Sequence, residues 1–104
     1  MRIKVDYSGG WNMAKYIYPA IFAPENDGGF SVTFPDIKGC YTCGDSLEES
    51  LSMAEDALSL MLVHLEDEKR QIPAPSGINE LEMHGEEFAS LISTDTILYR
   101  KKTQ

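Results

Sequence analysis

Much of what marks catalytic, secreted or nucleic-acid-binding chains is scarce here. Among 104 residues there are two cysteines, two histidines and one tryptophan. Two cysteines do not make the disulfide framework of a small secreted domain. Basic residues are few, 9 Lys and Arg against 17 Asp and Glu, for a net charge of −8 and a pI near 4.6. That balance argues against a phosphate-binding surface, since nucleic-acid binders carry a basic face. No apolar run approaches the ~20 residues of a membrane span, and the amino terminus lacks the continuous apolar stretch of a signal peptide. The reading is a soluble cytoplasmic protein of one domain, with a core too small for a deep internal active site. There are no internal repeats and no low-complexity segment.

What is present is a sequence of alternations and stops. Met1 to Tyr7 alternates apolar with polar and suggests a strand, ended by Ser8-Gly9-Gly10. Gly9-Gly10-Trp11-Asn12-Met13 is compatible with a ribosome-binding site before a start codon, which makes Met13 a candidate start and residues 1–14 either an extension or an extra strand. Lys15 to Ala23 reads as a strand with Tyr16, Tyr18, Ala20 and Phe22 on one face. Pro19 cannot donate to a ladder, so its amide position belongs at an edge or bulge. Pro24 to Gly29 makes a turn, Phe30 to Phe34 returns antiparallel, and Gly39 to Cys43 is a third, short strand.

Ser46 with Glu49 three residues on is a capping box, and Asp45, Glu48 and Glu49 suit the positive end of the helix it opens. The helix is expected to reach about Arg70. Leu47, Leu51, Ala54, Leu58, Met61, Leu62 and Leu65 step along one face toward the sheet. Met53, Ala57 and Leu60 form a second stripe, too wide an apolar arc for a small sheet to cover, and predict an oligomer, most simply a dimer, with these three at its interface. The alternative cover is the carboxyl-terminal segment. The two prolines of Gln71 to Gly77 exclude a helix. Phe88 to Tyr99 reads as the last strand, followed by the basic run Arg100-Lys101-Lys102. The fold class is α+β, a small, mainly antiparallel sheet of β-β-β-α-β order with one long helix packed on it.

Candidate chemistry is thin. Cys40-Tyr41-Thr42-Cys43 has the spacing of half a zinc site or a redox pair, but His64 and His84 stand in no knuckle spacing to it. Residues three apart on a strand also point to opposite faces. Two small strand residues is the favoured reading. His64 is placed to pair with Glu68 at i,i+4, and His84 lies in a polar loop. A metal-dependent nuclease would need converging carboxylates starting on the first strand, and Lys15 to Ala23 carries no acid. Catalysis, metals and cofactors are not expected. The negative charge concentrates from Gly39 to Arg70, where Asp45, Glu48, Glu49, Glu55, Asp56, Glu66, Asp67 and Glu68 face only Lys69 and Arg70. A basic partner fits this, as does a merely solvated helix face.

Phe30-Ser31-Val32-Thr33-Phe34-Pro35-Asp36, Gly39-Cys40 and Gly44-Asp45-Ser46-Leu47-Glu48-Glu49, after a tyrosine-bearing strand and a glycine turn, resemble the HicB-like antitoxins of bacterial toxin–antitoxin pairs in order and spacing. The resemblance covers about Lys15 to Lys102, including Ile72-Pro73-Ala74-Pro75-Ser76 and Asp95 to Tyr99. Lys38 departs from a common proline before Gly39. The resemblance implies a reduced ribonuclease-H-like domain over residues 15–104 that oligomerises and blocks a small basic HicA-like, mRNA-cleaving toxin. Many members add a DNA-binding segment. The sequence ends at Gln104, so partner binding is carried over and DNA binding is not. Asp36, Tyr41, Asp45, Glu48 and Glu49 are the expected partner-binding residues, the carboxylates standing where a nuclease would meet phosphates. An orphan domain with an RNA-binding or regulatory role is the alternative, supported by Arg100-Lys101-Lys102 and the tyrosines and disfavoured by charge.

Overall fold

The structure, a computed structural model, describes residues 15–102. The strand and turn expected over Met1 to Gly10, and Met13, lie outside the described residues. The elements are β1 (Lys15–Pro24), β2 (Phe30–Thr33), β3 (Tyr41–Gly44), α1 (Leu47–Asp67), a 3-10 turn at Ile78–Glu80, β4 (Phe88–Asp95) and α2 (Thr96–Lys102). The sheet order is β3-β2-β1-β4, every pair antiparallel, so the last strand lies beside the first.

The strands form where the alternation placed them. Gly28, at φ 92°, takes the positive-φ position of the β1–β2 turn. The Asp27 carboxylate there accepts from the Gly29 N–H at 3.0 Å. The inward face of β1 is the predicted one: Tyr18, Ala20 and Phe22 join Val32, Phe34, Ile37, Cys40 and Ile92 against Ala54, Leu58, Leu62 and Leu65 of α1 in a single core. Each fully buried Leu or Phe contributes about 1.5–3 kcal/mol. Pro19 stands in a central strand, but the β1–β2 ladder ends at Ile21–Thr33. Its missing N–H therefore falls beyond that ladder, a local edge inside the sheet.

Several expectations need correcting. The last strand stops at Asp95 instead of running to Tyr99, because the Asp95 carboxylate accepts from the N–H groups of Ile97 (2.9 Å) and Leu98 (3.1 Å) and so starts α2. Helix α1 ends at Asp67, short of Arg70. The N–H of Lys69 donates to the Glu66 carbonyl, that of Arg70 to the Leu65 carbonyl, and Lys69 takes φ 55°, the left-handed position that usually holds glycine in this motif. The apolar stripe of α1 is also shifted. Leu47 and Leu51 are exposed, while Ser50 and Ser59 are buried. Both serines can be buried because each hydroxyl donates to the carbonyl four residues back, Ser46 and Glu55 respectively, and Ser59 also bonds Thr94 on β4.

Candidate protein-binding surface

The start of α1 is set by the capping box. The Ser46 hydroxyl accepts from the Glu49 N–H at 3.1 Å, and the Glu49 carboxylate reaches back to the Asp45 N–H at 2.5 Å, one residue before the cap itself. Gly44 holds this corner tight against β3, since a Cβ there would lie 2.6 Å from the Ser50 N and Oγ atoms. Asp45, Glu48 and Glu49 are all exposed at the corner. Tyr41, on the neighbouring edge strand, is 72% exposed.

Beside β3 runs a groove of about 430 Å³ lined by Gly39, Cys40, Tyr41, Ala57, Leu60, Met61 and His64. It joins two groups that the sequence assigned to different surfaces, Tyr41 from the partner-binding set and Ala57 and Leu60 from the oligomer set. Leu60 is 58% exposed, and Met53, two turns earlier on the same flank, is also exposed. α2 does not cover this flank. It is tied to the other side of α1 through Arg100, whose guanidinium donates to Glu66 and bonds Asp67, both at 2.9 Å. Of the predicted partner residues, Asp36 alone is turned to an internal role: its carboxylate accepts from the N–H (2.8 Å) and hydroxyl (2.6 Å) of Ser76 and anchors the proline-containing segment 71–77.

The far end of α1 carries an arrangement the sequence reading missed. Glu66 Oε2 accepts from the hydroxyls of Tyr16 (2.7 Å) and Thr96 (2.9 Å), while Oε1 faces Arg100. Burial first, then the bond to Glu66 and its charge, raise the Tyr16 phenol well above its ordinary range. Tyr18, whose hydroxyl bonds the Pro73 carbonyl, is raised by burial and by Asp36. Arg100, the first residue of the basic run, is thereby held in ion pairs. The expected pair of His64 with Glu68 is present at 3.2 Å. The two cysteines part as the strand geometry requires, Cys40 buried with its thiol pushed up to about 11 by burial, Cys43 exposed. Among the described residues no group of His, Cys, Asp and Glu side chains could hold a metal ion, and no helix is long and apolar enough to cross a membrane.

Fold and surface together define a two-layer α+β domain with an acidic corner and a groove along one edge that no other described residues cover. Residues 18–101 match the model of the HicB-like antitoxins of bacterial toxin–antitoxin systems, and the chain belongs to that family. It is 36% identical over 89 residues to antitoxin HicB 1 of Photorhabdus laumondii, a match that covers 84% of this chain and 57% of that protein. The chain spans about half the length of the curated HicB relatives it matches. The fold is similar to a chain of a toxin–antitoxin complex from Streptococcus pneumoniae, with a TM-score of 0.74, 24% identity, and coverage of 82% of this chain and 72% of that one. It is also similar to a chain of a HicA3 and HicB3 toxin–antitoxin complex, with a TM-score of 0.62, 23% identity, and coverage of 74% and 95%.

Proposed function

We propose that this chain is the toxin-binding domain of an antitoxin and neutralises a small, basic, HicA-like ribonuclease by covering it. The observation that carries the reading is the acidic corner Asp45, Glu48 and Glu49 standing exposed beside Tyr41 and the open groove. Carboxylates steer a basic nuclease and fix its orientation, and packing in the groove holds it, with Tyr41 as an aromatic anchor. Family membership supports the antitoxin role, and the HicA3 and HicB3 complex supports the partner class. The domain acts by binding in the cytoplasm, without catalysis. Ala57 and Leu60, expected at a homodimer interface, are assigned to the toxin-facing groove. Asp36 contributes by holding the segment 71–77, which leaves Tyr41, Asp45, Glu48 and Glu49 as the contact set. RNA cleavage by a HicA-like ribonuclease from the same host, with and without this protein, is the test. Cleavage should be abolished by a stoichiometric amount of this protein, and undiminished cleavage at excess would rule the reading out.

A further inference from the structure

The hydrogen-bonding pattern of the sheet says what the edge of β3 offers. The Phe34 N–H donates to the Cys40 carbonyl at 3.0 Å, and the register Thr33↔Tyr41 puts those two residues opposite each other. Bonded and non-bonded pairs alternate along an antiparallel ladder. Val32–Thr42 and Phe30–Gly44 are therefore bonded pairs, and Thr33–Tyr41 and Ser31–Cys43 are not. The N–H and C=O groups of Tyr41 and Cys43 point away from β2, off an edge of the sheet that no described strand pairs. Nothing within β3 guards that edge: Tyr41–Gly44 contains no proline, no charge and no bulge. The other edge, β4, differs, for the 3-10 turn packs against it.

We propose that this edge and the groove beside it receive an extended segment of the toxin as an added strand, with apolar side chains alternating into the groove and basic side chains on its flank. The inference rests on the antitoxin reading and specifies how the partner is held. Backbone groups of Tyr41 and Cys43 bond the incoming strand, and every second side chain of that strand meets Ala57, Leu60, Met61 and His64. Charge selects this occupant over a second copy of the chain. The exposed carboxylates of Asp45, Glu48 and Glu49 follow directly on β3 and give this side of the molecule its negative charge, whereas Asp56 faces α2 and Asp67 is held by Arg100. Lys38, next to Gly39, is the basic residue at the strand side, and His64 already faces Glu68. Two copies docked by the same patch would bring together two chains of net charge −8, whereas a basic strand meets opposite charge.

The test is the variant Cys43→Pro. Proline is tolerated in an edge strand where the N–H faces outward, so the fold should persist, checked by urea unfolding. Removing the outward N–H and blocking close approach should weaken toxin binding by about tenfold or more. Cys43→Ala, which keeps the N–H, should bind as the parent does. As a readout independent of any variant, the Tyr41 and Cys43 amides of the parent should exchange with solvent markedly more slowly in the complex. A parent that neutralises the toxin with Cys43→Pro unimpaired, or with unprotected amides, overturns strand addition and leaves the antitoxin reading standing. A parent that does not bind the toxin overturns both. Sedimentation showing a homo-oligomer that Cys43→Pro dissociates would assign the edge to a second copy instead.

Discussion

The two ends of α1 carry the same kind of side chain and use it in opposite ways. At the start, Glu48 and Glu49 stand in solvent, and among the described residues the only inward bond they make is the Glu49 cap. At the end, Glu66 is turned into the molecule and joins β1, α1 and α2 through Tyr16, Thr96 and Arg100. Acidic charge on a helix is therefore not one property. On the proposed function, one end gives a partner something to recognise; the other holds the domain together.

The difference is sharpest when Glu66 is removed. Glu66→Ala strips a charged acceptor from Tyr16, Thr96 and Arg100 at once and should lower stability by about 2–4 kcal/mol, read as a shift in the urea midpoint. Glu66→Gln should lose less. Toxin association by the folded fraction should not change; if it does, the two ends are not separate in role. The same cluster sets the alkaline response. The phenols of Tyr16 and Tyr18 are raised in the folded state, so their contribution is complete below the unfolded tyrosine value of about 10 and is lost as pH rises through the folded values. The Cys40 thiol, raised by burial to about 11, acts in the same direction. Stability should begin to fall above about pH 9, where the unfolded thiol ionises, and fall further above about pH 10 with the phenols; Glu66→Ala should flatten the part due to Tyr16.

At the other end the effect should appear in binding. Reversing Glu48 and Glu49 to Lys should slow toxin association by about tenfold at low salt and make it less salt-sensitive. The fold should lose only the Glu49 cap bond and a favourable dipole interaction, about 1 kcal/mol. Unchanged association in stopped-flow mixing would remove the acidic corner from the site. Ser46→Ala separates cap from charge: about 1 kcal/mol less stable by urea unfolding, with association unaltered. The smallest effect is expected at the closing turn. Lys69→Gly relieves a left-handed residue at φ 55° and should stabilise by a few tenths to about 1 kcal/mol in the same assay.

What was legible in the sequence is what local pattern encodes. The alternation of β1 and β2, the glycine turn, the Ser46 cap and the His64–Glu68 pair depend on residues a few positions apart, and all are in the structure. The Glu66 cluster could not be read in this way, because its partners lie 30 to 50 residues away. In sequence Glu66 looks like any other acid near the end of an acidic helix. The buried serines were missed for a different reason. A hydroxyl that bonds its own helix carbonyl is satisfied without water, so it can occupy an apolar face while scoring as polar. Helix α2 did leave a signal: Asp95 before Thr96-Ile97-Leu98 is a capping residue, masked because the alternation of β4 continues formally through it. The groove was half visible. Each bank was identified, but only the packing of α1 along β3 shows that Tyr41 and Leu60 face the same space.

The place of β4 beside β1 bears on how the chain is made. Residues Lys15 to Phe22 pair with Phe88 to Asp95, a ladder between nearly the first and nearly the last described segments. During synthesis the β1–β2–β3 meander and α1 can gather early, since their contacts are short in sequence. That side of β1, however, has no partner among the described residues until β4 has cleared the ribosome. A nascent or interrupted chain thus carries a long bare strand edge, the kind of surface that invites aggregation or degradation. Supply of the finished domain depends on translation reaching β4, which ties the amount of folded protein to the integrity of that strand.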